Sequence, residues 1–244
     1  MDGKRVKAII FDLDNTLIDT RRAGEVAIQK TGDLLKTALA LDDATIAVIC
    51  DKFKQKLLGE RCDPSACRSV EEVRVAHWQE SIQEVRGSSS ASALASQCYR
   101  LWKSTRLEVL SLPPERSELL KQLRASYKLL LLTNGLAEVQ REKVEAVGCE
   151  EFFDAVVIGG EHAEQKPSPS IFTWCFDALG VRAEDCVVVG DDLDADIQGG
   201  FNAGVRATVW ISGAGGQIPN RSVKPDFTIA SVLDLPGVLV QLET

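Results

Sequence analysis

Asp12 and Asp14 stand two residues apart near the end of VKAIIFDLDNTL, residues 6–17, where an apolar run stops at the first of the two acids. The run is too short to span a membrane and rich in Val and Ile, the pattern of a strand buried on both faces of a parallel sheet. Two acids, then Asn15 and Thr16, at the carboxyl end of such a strand occupy the place where α/β sheets put their chemistry. Alone, Asp-x-Asp is as readily an Asx-type turn. Three later segments change the balance. Thr133-Asn134-Gly135 closes the run KLLLLT, Lys166-Pro167 lies in the loop after a third strand, and Gly190-Asp191-Asp192 ends a fourth, with Asp194 and Asp196 close behind. Parallel strands would deliver all four segments to one edge of the sheet.

The chemistry of that set is coherent. Crowded carboxylates raise one another's pKa, and a hard divalent cation removes the repulsion. Mg²⁺ takes few protein ligands and keeps positions for water and substrate oxygens. Lys166 adds a positive charge, while the Thr133 hydroxyl and the amides of Leu13, Asp14 and Asn15 add hydrogen-bond donors. Acids, Mg²⁺, a lysine and donors suit a phosphoryl group, whose transfer depends on positioning and on neutralising charge.

The elements needed to hold these residues follow from periodicity and punctuation. Helical patterning fills residues 22–40, 43–58, 69–85 and 92–109, with Asp42 or Asp43 capping the second helix and Val70, Val73, Trp78 and Ile82 forming one apolar face of the third. GSSSASA, residues 87–93, reads as a flexible loop. Pro113 and Pro114 end the helical block. Beyond them, predicted strands at 128–133, 154–158, 186–190, 206–211 and 226–229 alternate with helices at 115–126, 137–147, 168–179, 195–203 and 231–241. Ser168 is the expected N-cap of the third of these, with Pro169 at its first turn and Gly180 after its end. The prediction is an α/β fold: a Rossmann-like parallel sheet with helices on both faces, residues 1–17 and 113–244, interrupted by an all-helical cap, residues 18–112. A cap inserted after the first motif can close over the site and exclude water. Arg21, Arg100, Lys103 and Arg106 are its candidates for meeting a substrate carboxylate, whereas Trp78 and Trp102 read as cap core.

Bulk composition narrows the class. The 244 residues carry a net charge of −8, which argues against a general nucleic-acid or anionic-membrane surface. The charged start, without an apolar leader, gives no targeting signal. Seven cysteines without a CxxC pair, and only two histidines, His77 and His162, argue against a disulfide framework or a zinc site and for reduced thiols in the cytoplasm.

The order DLDNT, TNG, KP, GDD, with a helical insert after the first motif, resembles the haloacid dehalogenase-like phosphatases with a helical cap. HWQESIQE, CYRLWKSTRLE, QREKVEA, FFDAVVIGGE, KPSPSIF and DIQGGFNAG resemble the members of that family that act on a phosphorylated sugar acid. The resemblance implies Asp12 as the nucleophile forming an aspartyl phosphate, and Asp14 as general acid and then base. It implies Mg²⁺ on Asp12, the Asp14 carbonyl and Asp191, with phosphate on Thr133, Asn134, Lys166 and the Leu13–Asn15 backbone. Asp192 stands where relatives carry Thr or Ser, which leaves the roles of Asp192, Asp194 and Asp196 open, and Leu136-Ala137 replaces polar residues. An acid at position 14 favours phosphatase over dehalogenase chemistry, because an alkoxide leaving group needs a proton and a halide does not. The rival expectations are the same chemistry on phosphoglycolate or a nucleotide monophosphate, and a non-catalytic binding protein.

Overall fold

The centre of the sheet is β1 (Ala8–Phe11), whose four side chains are all buried. In the computed structural model, which describes residues 5–60, 68–87, 92–213 and 223–243, contacts divide the chain into two compact units. One comprises Met1–Asp19 with Ser111–Thr244, the other Thr20–Leu110.

In the first unit the chain after β1 resumes at α5 (Pro114–Arg124) and β2 (Lys128–Thr133). It continues through α6 (Ala137–Val147), β3 (Ala155–Ile158), α7 (Pro169–Leu179) and β4 (Cys186–Gly190). It ends with α8 (Gln198–Ala203), β5 (Ala207–Ile211), β6 (Phe227–Ile229) and α9 (Leu235–Glu243). The strands form one parallel sheet in the order β3-β2-β1-β4-β5-β6. Chain order reverses on either side of β1, the crevice where open α/β sheets bind ligands. Ile10 pairs with Leu130 on one side and Val188 on the other. Ile10, Leu130 and Val188 pack with Ile171 and Phe172 of α7 in one apolar layer. Continuous apolar strands, rather than alternating ones, are what burial on both faces requires.

Ser168 is the N-cap residue of α7, with Pro169 in the first turn and Gly180 after the end, although its hydroxyl donates to Glu164 Oε2 at 2.6 Å and accepts from no helix amide. One local expectation comes out differently. The helix expected over 195–203 begins as a π-helical turn, Leu193–Ile197, before α8. That wider turn matters for the site.

The second unit holds α1 (Thr20–Leu39), α2 (Asp43–Leu58), α3 (Val70–Arg86) and α4 (Ser92–Val109). Asp42 caps α2, accepting from the Thr45 amide at 2.8 Å. Ser69 and Glu72 form a reciprocal capping box on α3; such caps contribute about 1 kcal/mol. Phe53 stacks on Trp78 with ring centres 3.8 Å apart, and Trp102 meets Phe53 edge-on at 5.3 Å. Both tryptophans are therefore core. The buried stripe of α3 runs through Arg74, Trp78, Ser81 and Ile82, with Val70 and Val73 only partly covered. A bidentate bond to Glu60 lets Arg74 enter that stripe. Residues 88–91 of the expected serine loop, and Cys62 and Cys67, lie outside the described residues. The five described cysteines are free and buried. No helix among the described residues is long and apolar enough to cross a membrane.

Candidate active site

Asp12 follows β1 directly, and its amide donates to the Val189 carbonyl of β4 at 2.9 Å. Lys166 reaches it from the loop before α7. The Lys166 Nζ donates to Asp12 Oδ1 at 2.7 Å, Asp196 Oδ1 at 2.7 Å and the Leu132 carbonyl at 2.8 Å. Three donors meet three acceptors, so Lys166 faces an incoming anion as a fixed charge rather than as a free hydrogen-bond donor. Its pKa is raised: burial alone would lower it, but the Asp12 and Asp196 carboxylates more than offset that. Burial pushes the Asp12 carboxyl up to about 7, with Lys166 drawing it back down and Asp196 adding repulsion. Burial raises Asp196 as well.

The fourth motif resolves into three separate jobs. Asp192 is a cap: its Oδ1 accepts from the amides of Asp194 and Ala195 at 2.8 and 3.0 Å. Asp194 is exposed. Asp196 alone turns inward, because the π-helical turn brings it under Gly190, and its Oδ2 accepts the Asp192 amide at 3.1 Å. Asp191, whose carbonyl accepts from Trp210 Nε1 at 2.8 Å, completes a trio. Carboxylate oxygens of Asp12, Asp191 and Asp196 lie within 4.8 Å of one another. Three hard oxygen donors at that separation fit a divalent cation such as Mg²⁺.

Thr133, Asn134 and the Leu13–Asn15 loop are the residues expected to donate to a phosphate. Thr133 Oγ1 is buried with no protein hydrogen-bond partner, an arrangement that costs about 1–3 kcal/mol unless a ligand meets it. The Asn134 side chain is committed: its amide donates to the Lys166 carbonyl at 2.8 Å, and its oxygen accepts the Lys166 amide at 3.0 Å. Asn134 thus fixes the lysine loop. Asn15 takes a left-handed φ of 60° and its amide donates to the Ile18 carbonyl at 2.7 Å. That turn, braced by Arg116 donating to the Leu17 carbonyl at 2.7 Å, commits one of the three expected loop amides to the protein.

Asp14 meets residues the sequence did not single out. Lys143 Nζ lies 2.8 and 2.6 Å from its two oxygens, and Gln140 Nε2 lies 3.2 Å from Oδ2. Lys143 and Gln140 are buried.

The helical unit has its own cavity of about 600 Å³. Arg21 and Arg106 line it, together with Lys54 and Arg74, against Glu25 and Glu60. Arg74 and Arg106 flank the Trp102 ring at 5.6 and 4.8 Å. Arg100 and Lys103, the other two basic residues expected to meet a carboxylate, do not line it.

A parallel sheet carrying buried, lysine-balanced carboxylates at its switch point defines an α/β protein of Rossmann-like type with an acid-lined site. The family model of haloacid dehalogenase-like hydrolase matches residues 6–204, and the chain belongs to that family. It is 48% identical to the N-acylneuraminate-9-phosphatase of Rattus norvegicus, over 100% of this chain and 97% of the relative. The Homo sapiens N-acylneuraminate-9-phosphatase is 46% identical over the same shares. Among solved structures, the HAD-hydrolase YfnB of Bacillus subtilis, solved bound to magnesium, superposes with a TM-score of 0.67. It is 23% identical, over 97% of this chain and 99% of that one, and shares the fold. The protein is a phosphatase of the haloacid dehalogenase-like family.

Proposed function

We propose that the protein is a Mg²⁺-dependent phosphomonoesterase that hydrolyses N-acylneuraminate 9-phosphate to N-acylneuraminate and phosphate. The observation that carries this reading is the buried Asp12 beside Lys166 and Asp196. Asp12 Oδ2 carries no hydrogen bond among the described residues, which leaves one oxygen of a positioned carboxylate for attack. In the first step that oxygen bonds to phosphorus while the sugar C9–O–P bond breaks on the oxygen–phosphorus side. Asp14 gives its proton to the departing alkoxide. In the second step Asp14 takes a proton from water, whose oxygen attacks phosphorus and frees phosphate from Asp12. Asp12, the Asp14 carbonyl and Asp191 would hold Mg²⁺, which would supply charge neutralisation for the phosphoryl group. Thr133 and the Leu13 and Asp14 backbone donate to those oxygens, and Lys166 holds Asp12 in place.

The substrate reading draws on the full-length likeness to N-acylneuraminate-9-phosphatases. The cationic cavity of the helical unit supports it, being suited to a carboxylate-bearing sugar. The five free thiols among the described residues fit a reducing, cytoplasmic setting, and the substrate reading places the reaction in sialic acid biosynthesis. The test is phosphate release from N-acetylneuraminate 9-phosphate, phosphoglycolate and a nucleotide monophosphate, each with Mg²⁺ or with EDTA. Preference of at least tenfold for the sialic acid ester, lost in EDTA and in Asp12→Asn, is the expected result. Activity retained by Asp12→Asn would sink the covalent mechanism, and preference for another ester would replace the substrate.

A further inference from the structure

Gln140 and Lys143 are three residues apart on α6, so their side chains leave the same helical face. That face meets Asp14, more than a hundred residues away in the chain. Lys143 Nζ donates to both Asp14 oxygens, at 2.8 and 2.6 Å. Gln140 Nε2 shares its hydrogens between Asp14 Oδ2 at 3.2 Å and the Asn134 carbonyl at 2.7 Å. The lysine and glutamine are buried, whereas the Asp14 side chain keeps 28% of its exposure. An aspartate so open to solvent would ordinarily sample several rotamers. Here N–H donors from one helix hold it in one, and Gln140 ties that position to the loop bearing Thr133 and Asn134.

We infer that Lys143 is a positioning residue for proton transfer by Asp14, acting with Gln140. The inference rests on the assignment of Asp14 as the acid under the proposed function. A proton donor must sit within hydrogen-bond reach of the leaving oxygen, and a displacement of about 1 Å can cost 10²-fold in rate. Lys143 keeps Asp14 at one place relative to the phosphate loop. Its ammonium also balances the negative charge that Asp14 acquires when its proton passes to the departing alkoxide. Nothing in this needs an added reactant: one O–H bond breaks on Asp14 and one forms on the sugar oxygen.

An ion pair that only stabilised the fold would not distinguish between leaving groups, and this supplies the test. The ratio kcat/KM covers the steps through ester cleavage. N-acetylneuraminate 9-phosphate releases an alkoxide that needs a proton, whereas p-nitrophenyl phosphate releases a phenolate that does not. Lys143→Met is expected to lower kcat/KM for the sugar ester about 100-fold, with a loss on the aryl ester at least tenfold smaller. Lys143→Arg, which keeps the charge, should recover part of the sugar-ester rate. Gln140→Leu should show the same leaving-group contrast with a smaller amplitude, and it carries the test should Lys143→Met fail to fold. Equal losses on the two esters, or an unchanged rate on the sugar ester, would overturn the inference. Failure of the underlying function reads differently: wild-type protein would then leave the sialic acid ester intact. The contrast is in that case measured between p-nitrophenyl phosphate and whichever alkyl phosphomonoester the wild type hydrolyses.

Discussion

The Asp196 carboxylate fills the space beside the Gly190 Cα that a Cβ would take: a side chain there would overlap Asp196 Oδ2 and Cγ. Asp196 has nowhere to retreat, since its other oxygen is bound to Lys166 and its Oδ2 to the Asp192 amide. Glycine at the end of β4 is thus what allows a buried carboxylate to reach the lysine from behind the strand. Gly190→Ala should push Asp196 off Lys166 and loosen Asp12 with it. The expected outcome is at least a 100-fold fall in kcat, with a loss of stability in the range of about 1–3 kcal/mol typical of overpacking. A Gly190→Ala protein with near wild-type kcat and unfolding midpoint would show that the contact can relax at no cost.

The adjacent acids Asp191 and Asp192 should separate cleanly in metal titrations. Asp191 is one of the three clustered carboxylates, whereas the Asp192 side chain is spent on the amides of Asp194 and Ala195. Asp191→Asn is expected to raise the Mg²⁺ concentration for half-maximal activity at least tenfold. Asp192→Asn, which can still cap the turn, should shift it less than threefold. The measurement is activity against Mg²⁺ after EDTA removal, and an equal shift in both variants would contradict the division of labour.

Much of this was legible in the chain because burial leaves a strong pattern. AIIF, KLLLLT and CVVVG are apolar on both faces, and the polar residue that ends each run marks the sheet edge. Lys166 was legible only through its register with the other polar segments at the sheet edge, since Lys-Pro alone is an ordinary loop dipeptide that recurs at Lys224-Pro225. Lys143 was not. In QREKVEAV it reads as one more charge on a solvated helix, and only the packing of α6 against the loop after β1 reveals its partner. Asp196 was visible as an acid but not as the one that turns inward. That choice depends on a π-helical turn, and no residue between Leu193 and Ile197 announces one. Nor does the sequence announce that the Asn134 side chain bonds the Lys166 backbone and that the Asn15 amide bonds the Ile18 carbonyl.

The cavity of the helical unit yields a prediction about substrate choice. Arg106 lies over Trp102 at 4.8 Å and lines that cavity with Arg21, Lys54 and Arg74. Arg106→Leu should raise KM for N-acetylneuraminate 9-phosphate about tenfold or more, in keeping with the loss of one charge-assisted contact. For p-nitrophenyl phosphate, which has no carboxylate, KM should change less than twofold. Parallel changes in the two KM values would remove Arg106 from carboxylate recognition.

His77 is expected to make the stability of the helical unit sensitive to mild acid. Its Nε2 is buried without a hydrogen bond, 3.5 Å from Glu60 Oε1. Burial holds the imidazole below its ordinary value, with Glu60 and Glu80 pulling it up and Lys56 and Arg74 pushing it down. The folded state therefore takes up a proton at lower pH than the unfolded chain, where histidine titrates near about 6.5. Stability is complete above that value and falls as the pH drops from the unfolded pKa through the folded one, because the unfolded state binds the proton first. His77→Gln has no proton to bind and should lose less stability than wild type between about pH 7 and 5.5. Urea unfolding followed by tryptophan fluorescence across that range measures the difference. Parallel stability curves for the two proteins would mean that His77 titrates alike in both states and that burial does not hold it neutral.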